Sequence, residues 1–139
     1  SMLKSNKNKT PQPIDKTASG GEISRVMLCL KYLLAQSSSL PTLIFDEIDT
    51  GISGEAADLT AKMLKKMSNN VQIISISHLP QIAAKATTHY FVEKSGESET
   101  TVTQLNKEER VTAIARMLSG STLSDAAIQN AQALLSEQS

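Results

Sequence analysis

Four short stretches of this sequence carry side chains whose types and spacing could do chemistry. The first, Ser19-Gly20-Gly21-Glu22, stands immediately before a long run with apolar residues at helical spacing. A helix start offers free backbone amides and the positive end of the helix dipole, and both attract phosphate oxygens. Two glycines there let a ligand or a second backbone approach closely. The same residues also form an ordinary capping box, with the Ser19 hydroxyl and the Glu22 carboxylate satisfying first-turn amides, and the stretch alone favours that simpler role.

The second stretch, Leu43-Ile44-Phe45-Asp46-Glu47, is an apolar run that ends in two adjacent carboxylates. Consecutive side chains on a strand point to opposite faces, so the two acids need different tasks. Asp46 is suited to hold Mg²⁺, directly or through water, because hard cations prefer carboxylate oxygen. Glu47 is suited to orient or deprotonate a water that attacks a phosphoryl group. A strand ending in a polar turn gives the same pattern. Asp49 opens the Asp49-Thr50-Gly51 turn, where an aspartate is by default a turn former. His78 follows the β-branched run Val71-Gln72-Ile73-Ile74-Ser75-Ile76. Its default role is that of a hydrogen-bonded loop residue. If the two apolar runs are neighbouring strands, it lies near Asp46 and Glu47 and can bond a terminal phosphate.

The elements that must position these groups follow from periodicity. Ile23, Val26, Met27, Leu30, Leu33 and Leu34 recur at helical spacing from residue 22 to about 36. Residues 42–46 read as a buried strand bounded by Pro41 and the acidic pair. After a loop punctuated by Gly51 and Gly54, helical spacing resumes over 55–67. Residues 71–76 form a second strand, and Pro80 opens a short helix to Ala86. Residues 89–93 and 100–105 read as two strands around the polar turn Ser95-Gly96-Glu97-Ser98. Two helices close the chain, over about 107–118 and 124–135, the first started by a capping box of Asn106 with Glu109. Strand and helix in alternation predict an α/β fold, a parallel sheet flanked by helices with a small β-hairpin. Functional groups in such sheets gather at the carboxyl ends of the strands, where Asp46-Glu47 and Ser77-His78 fall.

Composition sets the outer limits. The chain has 139 residues, enough for one modest core, and 40% of them are hydrophobic, which is a globular composition. Aromatic residues are 3% with no Trp, so the core must come from Leu, Ile, Val, Ala and Met. Fourteen basic residues balance fourteen acidic ones, so overall charge gives no reason for this chain alone to bind DNA or a membrane. No apolar run approaches the ~20 residues that span a bilayer. The single cysteine, Cys29, cannot form an internal disulfide, fits a reducing cytosolic setting, and is expected to be a small core residue. Residues 1–17 carry Lys4, Lys7, Lys9 and Lys16 against Asp15, with Pro11 and Pro13, and read as a flexible, solvated lead-in; a basic arm touching nucleic acid is the other reading. Ser1-Met2 reads as a cleavage scar, so the chain is expected to be a piece of something longer.

The order and spacing of the stretches resemble the second half of ABC-type ATPases: signature motif, Walker B, D-loop and switch histidine. The signature begins at Ser19-Gly20-Gly21, with Glu22 where Gln is commoner. The wording is closest to the RecN branch of the SMC-like DNA repair ATPases. Ala18-Ser19-Gly20-Gly21-Glu22-Ile23-Ser24-Arg25-Val26-Met27-Leu28 resembles its signature helix. Phe45-Asp46-Glu47-Ile48-Asp49-Thr50-Gly51-Ile52-Ser53-Gly54 and Ser77-His78-Leu79-Pro80-Gln81-Ile82-Ala83-Ala84 are similar to its next two blocks. His89-Tyr90-Phe91-Val92 with Lys94, and Ala115-Arg116-Met117-Leu118-Ser119-Gly120, resemble its tail.

The resemblance implies that residues 18–139 are the C-terminal lobe of an ABC-type P-loop ATPase head. It implies ATP and Mg²⁺ as cofactors, with Asp46 placing the metal, Glu47 as catalytic glutamate and His78 on the γ-phosphate. Ser19, Gly20, Gly21 and Glu22 would bind nucleotide held by a second head, and Asp49 would lie at the head–head junction. Partners implied are the N-terminal Walker A half, a second copy of the head, and DNA through the full-length protein. The setting implied is the bacterial cytoplasm and nucleoid, in double-strand break repair and recombination. The sequence departs from a complete head in having no G-x-x-x-x-G-K-[ST]. The chain alone is therefore expected to be inactive and, with apolar surface uncovered, to self-associate. Two alternatives stay open: a non-catalytic head-dimerisation module, or the head of another SMC-like repair ATPase.

Overall fold

The computed structural model describes residues 2–3, 12–13, 20–37, 41–46 and 51–137. The chain divides into two compact units, Ser1–Ser77 and His78–Ser139.

In the first unit, β1 (Met2–Leu3) pairs antiparallel with β2 (Gln12–Pro13). Helix α1 (Gly20–Ser37) then leads to β3 (Thr42–Asp46), α2 (Gly54–Met67) and β4 (Gln72–Ile76). Strands β3 and β4 are parallel, in a register that runs from Thr42 opposite Gln72 to Asp46 opposite Ile76. Parallel neighbours need a crossover, and α2 supplies it. Its apolar stripe of Ala57, Ala61, Leu64 and Met67 is buried, with Glu55 in the first turn and Lys65 and Lys66 in the last, each charge matching the helix dipole. The one buried hydroxyl on this helix, that of Thr60, donates to the Ala56 carbonyl at 2.8 Å.

Phe45 is the best-buried strand residue, 1% exposed, and Lys31 of α1 lies over its ring at 4.7 Å from the centroid. The same Lys31 Nζ donates to the Ile44 carbonyl at 3.1 Å, so one long side chain ties α1 to β3 twice. Burial of this pair of strands is one-sided. Ile44, Ile74 and Ile76, on the face opposite Phe45, are exposed. The continuous apolar pattern of 42–46 is that of a strand covered on both faces, and here only one face is covered. Cys29 is also exposed, which corrects its expected place in the core. On α1 the buried positions are Leu28 and Ala35, and Cys29 is rotated off that stripe by one residue, about 100° of helix.

In the second unit, α3 (Pro80–Lys85) is followed by the hairpin β5 (Tyr90–Ser95) and β6 (Glu99–Gln104), then α4 (Lys107–Ser119) and α5 (Asp125–Ser136). The hairpin turn uses Gly96 at φ 71°, a value that a side chain resists. Every residue of β5 and β6 is exposed, Tyr90, Phe91, Val92 and Val102 among them. The core of this unit is built from Ala84, Ile114, Ala115, Ala127 and Ala131, bordered by Val111, Ile128, Leu134 and Leu135. Four of those five buried residues are alanine, which lets the three helices come close together. The capping box of α4 is present: Asn106 Oδ1 accepts from the Glu109 amide at 2.8 Å, and the Asn106 amide donates to Glu109 Oε1 at 3.0 Å. Ser124 caps α5, its hydroxyl accepting from the Ala127 amide at 3.1 Å.

Candidate functional site

Asp46 is the last residue of β3 and is exposed, at the carboxyl end of the parallel pair. Gly20, Gly21 and Glu22 form the first turn of α1. Ser19, Glu47 and Asp49 lie outside the described residues. Downstream of them Gly51 takes φ 76° and Ile52 is buried, which fixes the far side of that loop.

His78 is exposed and opens the second unit. A single residue, Leu79, separates it from Pro80, the first residue of α3. A proline forces the residue before it into extended backbone, and Leu79 has φ −94° and ψ 127°. The Leu79 carbonyl accepts from the amides of Ile82 at 3.2 Å and Ala83 at 3.1 Å, closing the first turn. Pro80, Ile82 and Ala84 are buried.

Sequence reasoning missed two residues beside this helix. Arg110 of α4 donates from one terminal nitrogen, Nη2, to the Ala83 carbonyl at 3.0 Å and the Ala86 carbonyl at 2.8 Å. Its Nε and the Nδ1 of His89 are buried without a hydrogen-bond partner among the described residues. Burial holds His89 below its usual pKa, and the Arg110 charge adds to the effect. Neither residue has a local signature. Arg110 reads as one more charge on a solvated helix face, and its targets lie 24 and 27 residues earlier in the chain. Among the described residues no group of three or more His, Cys, Asp or Glu could by itself hold a metal ion. Among them, too, no helix is long and apolar enough to cross a membrane.

The DNA repair protein RecN of Haemophilus influenzae is 44% identical over 136 residues, 96% of this chain and 24% of that protein. The chain is RecN-like along nearly its whole length. The DNA repair protein RecN of Rickettsia bellii is 46% identical over 133 residues, 94% of this chain and 24% of that protein. The RecN-like chain thus spans about a quarter of the length of these relatives. No family model matches it.

Solved structures give the fold. The Smc head domain with a coiled coil and joint from Pyrococcus yayanosii superimposes with a TM-score of 0.68 at 23% identity, over 82% of the RecN-like chain and 21% of that chain. A structure from work on ATP-driven dimerization and DNA-stimulated activation of SMC ATPases gives a TM-score of 0.63 at 22% identity, over 83% and 70% of the two chains. The α/β fold expected from the strand–helix alternation is therefore the fold of SMC ATPase heads.

Proposed function

We propose that the RecN-like chain is the C-terminal lobe of an SMC-like ATPase head, spanning residues 18–139 after a lead-in of residues 1–17. Its role is to bind and hydrolyse ATP at a head–head interface during repair of DNA double-strand breaks and recombination. The observation that carries this reading is the parallel β3–α2–β4 unit with Asp46 at its carboxyl end, preceded by a Ser-Gly-Gly-Glu helix start. That is where phosphate chemistry is done in open α/β sheets. The RecN names of the relatives and the SMC ATPase heads with the same fold support it.

Mg²⁺ fits the donors present. It is usually held by one or two carboxylates together with phosphate oxygens and water, and a lone exposed Asp46 matches that sparse protein contribution. When bound, the metal would neutralise charge on the phosphates. Asp46 orients that metal and Glu47 polarises the attacking water. His78 bonds the γ-phosphate. Ser19, Gly20, Gly21 and Glu22 close on nucleotide held by a second copy of the head, and Asp49 sits at the junction of the two. Phosphoryl transfer depends mainly on positioning, so a site divided between chains can perform it. The missing Walker A loop comes from the N-terminal half of the same protein, DNA is engaged through the full-length molecule, and the setting is the bacterial cytoplasm and nucleoid.

The exposed apolar face of Ile44, Ile74 and Ile76 favours a second reading, a non-catalytic module that uses this surface to bind another head. Calorimetry of ATP binding, on the chain alone and with the Walker A half, separates the two. Binding and turnover that appear only in the mixture and vanish with Glu47→Gln support the ATPase lobe. Tight binding by the chain alone would sink it, and association without turnover would favour the module.

A further inference from the structure

The short helix α3 has six residues, too few to be stable by itself, and its last carbonyls have no partner within the helix. Arg110 supplies that partner. Its Nη2 bridges the Ala83 and Ala86 carbonyls at 3.0 and 2.8 Å, placing a positive charge at the negative end of the helix. Lys85, in the last turn of α3, donates to the Glu137 carbonyl at 3.0 Å, beyond the end of α5. The buried Pro80, Ile82 and Ala84 hold the other side, and Ala84 belongs to the core shared with α4 and α5. Helix α3 is therefore set as a block.

His78 is joined to that block through Leu79 alone, and Leu79 has little freedom of its own. Pro80 restricts it from one side, and its carbonyl is engaged by two amides of α3. A shift or fraying of α3 at its carboxyl end is passed to the backbone of His78 with little slack to absorb it. All of these residues lie in one unit, His78–Ser139.

We propose that Arg110 is a positioning residue for His78, setting through α3 where the imidazole meets the terminal phosphate. This rests on the reading of His78 as a γ-phosphate contact. Arg110 touches neither nucleotide nor water. It acts by holding two carbonyls that would otherwise be left without a donor. A guanidinium suits the task, because its planar, fixed donors reach both oxygens without the entropy that a mobile ammonium loses.

The test is a double-mutant cycle in the completed head, the chain combined with the Walker A half, reading steady-state ATP turnover. Arg110→Met keeps the apolar stem and removes the donors. It is expected to lower kcat roughly tenfold with KM nearly unchanged, since small misplacement of a group acting in the transition state costs rate. In a His78→Ala background the same change should cost nothing further, and Arg110→Lys should recover part of the rate. Equal losses in both backgrounds, or a raised KM with kcat unchanged, overturn the proposal. Should Arg110→Met not fold, Arg110→Lys in the same cycle decides by the same criterion of coupling against additivity. If His78→Ala alone leaves turnover intact, the reading of the site fails and Arg110 falls with it. If His78→Ala cuts turnover and Arg110 is merely additive, the site stands and only the Arg110 inference is lost.

Discussion

Asp46, the last residue of β3, stands directly opposite Ile76, the last residue of β4, in the parallel ladder. The two strands therefore end level, and the chain beyond each, Glu47 on one side and Ser77-His78 on the other, leaves the sheet from the same edge. A one-residue slip would put Asp46 opposite a different partner and turn every side chain of one strand relative to the other. The side-by-side placement of Ile44 with Ile74 and of Phe45 with Ser75 fixes which face is apolar and which packs.

The carboxylate at the end of β3 is the first to test. Asp46→Asn removes the charge but keeps the shape. In the completed head it should lower ATP turnover by about a hundredfold or more, the usual loss when a group that organises transition-state charge is removed. Phosphate release is the readout, and unchanged turnover would show that the metal is held elsewhere.

Ile114 is fully buried among Ala84, Ala115, Ala127 and Ala131. Alanine neighbours have no side-chain length with which to fill a gap. Ile114→Ala should therefore destabilise the chain by about 2–4 kcal/mol, measured by urea unfolding. A cost near zero would mean that the helices close up freely.

The capping box of α4 joins Asn106 and Glu109 in both directions. Asn106→Ala deletes the side-chain half and should cost about 1 kcal/mol. Amide exchange should quicken first at Glu109, whose N–H loses its acceptor. Protection unchanged at that amide would contradict the assignment.

His89 gives stability a pH dependence of defined sign. Its pKa is lowered in the folded chain, first by burial and then by Arg110. As pH falls below about 6.5, the ordinary histidine value, the unfolded chain takes up a proton that the folded chain still refuses, so stability falls. The loss levels off once pH passes below the depressed folded value. Melting temperature against pH for the wild type and His89→Gln should converge towards low pH and separate above about 6.5, if the Gln side chain is tolerated. Parallel curves would show that His89 titrates alike in both states.

Much of the fold was legible because its signals are local. The capping box of α4, the Ser124 start of α5, the hairpin turn at Gly96 and the two apolar strands each rest on residues within a few positions of one another. The same holds for the candidate site, where Asp46 at a strand end and His78 before Leu79-Pro80 were placed by their immediate neighbours. Cys29 was misplaced because helical spacing marks which residues are apolar and leaves open which of two apolar stripes finds a partner. Arg110 escaped because nothing near it in sequence distinguishes a charge in solvent from one that closes a helix formed 24 residues earlier.

The sequence by itself determined the element order, the helix starts, the turn chemistry and the succession of signature-like, acidic and histidine-bearing stretches, since these follow from propensity, period and hydrogen bonding between near neighbours. Only the tertiary structure decided that β3 and β4 end in register, that their Ile44–Ile74 face is left uncovered, that alanines form the core of the second unit, and that Arg110 holds α3. Those outcomes depend on burial and on donors meeting acceptors far apart in the chain, and no window of sequence contains both partners.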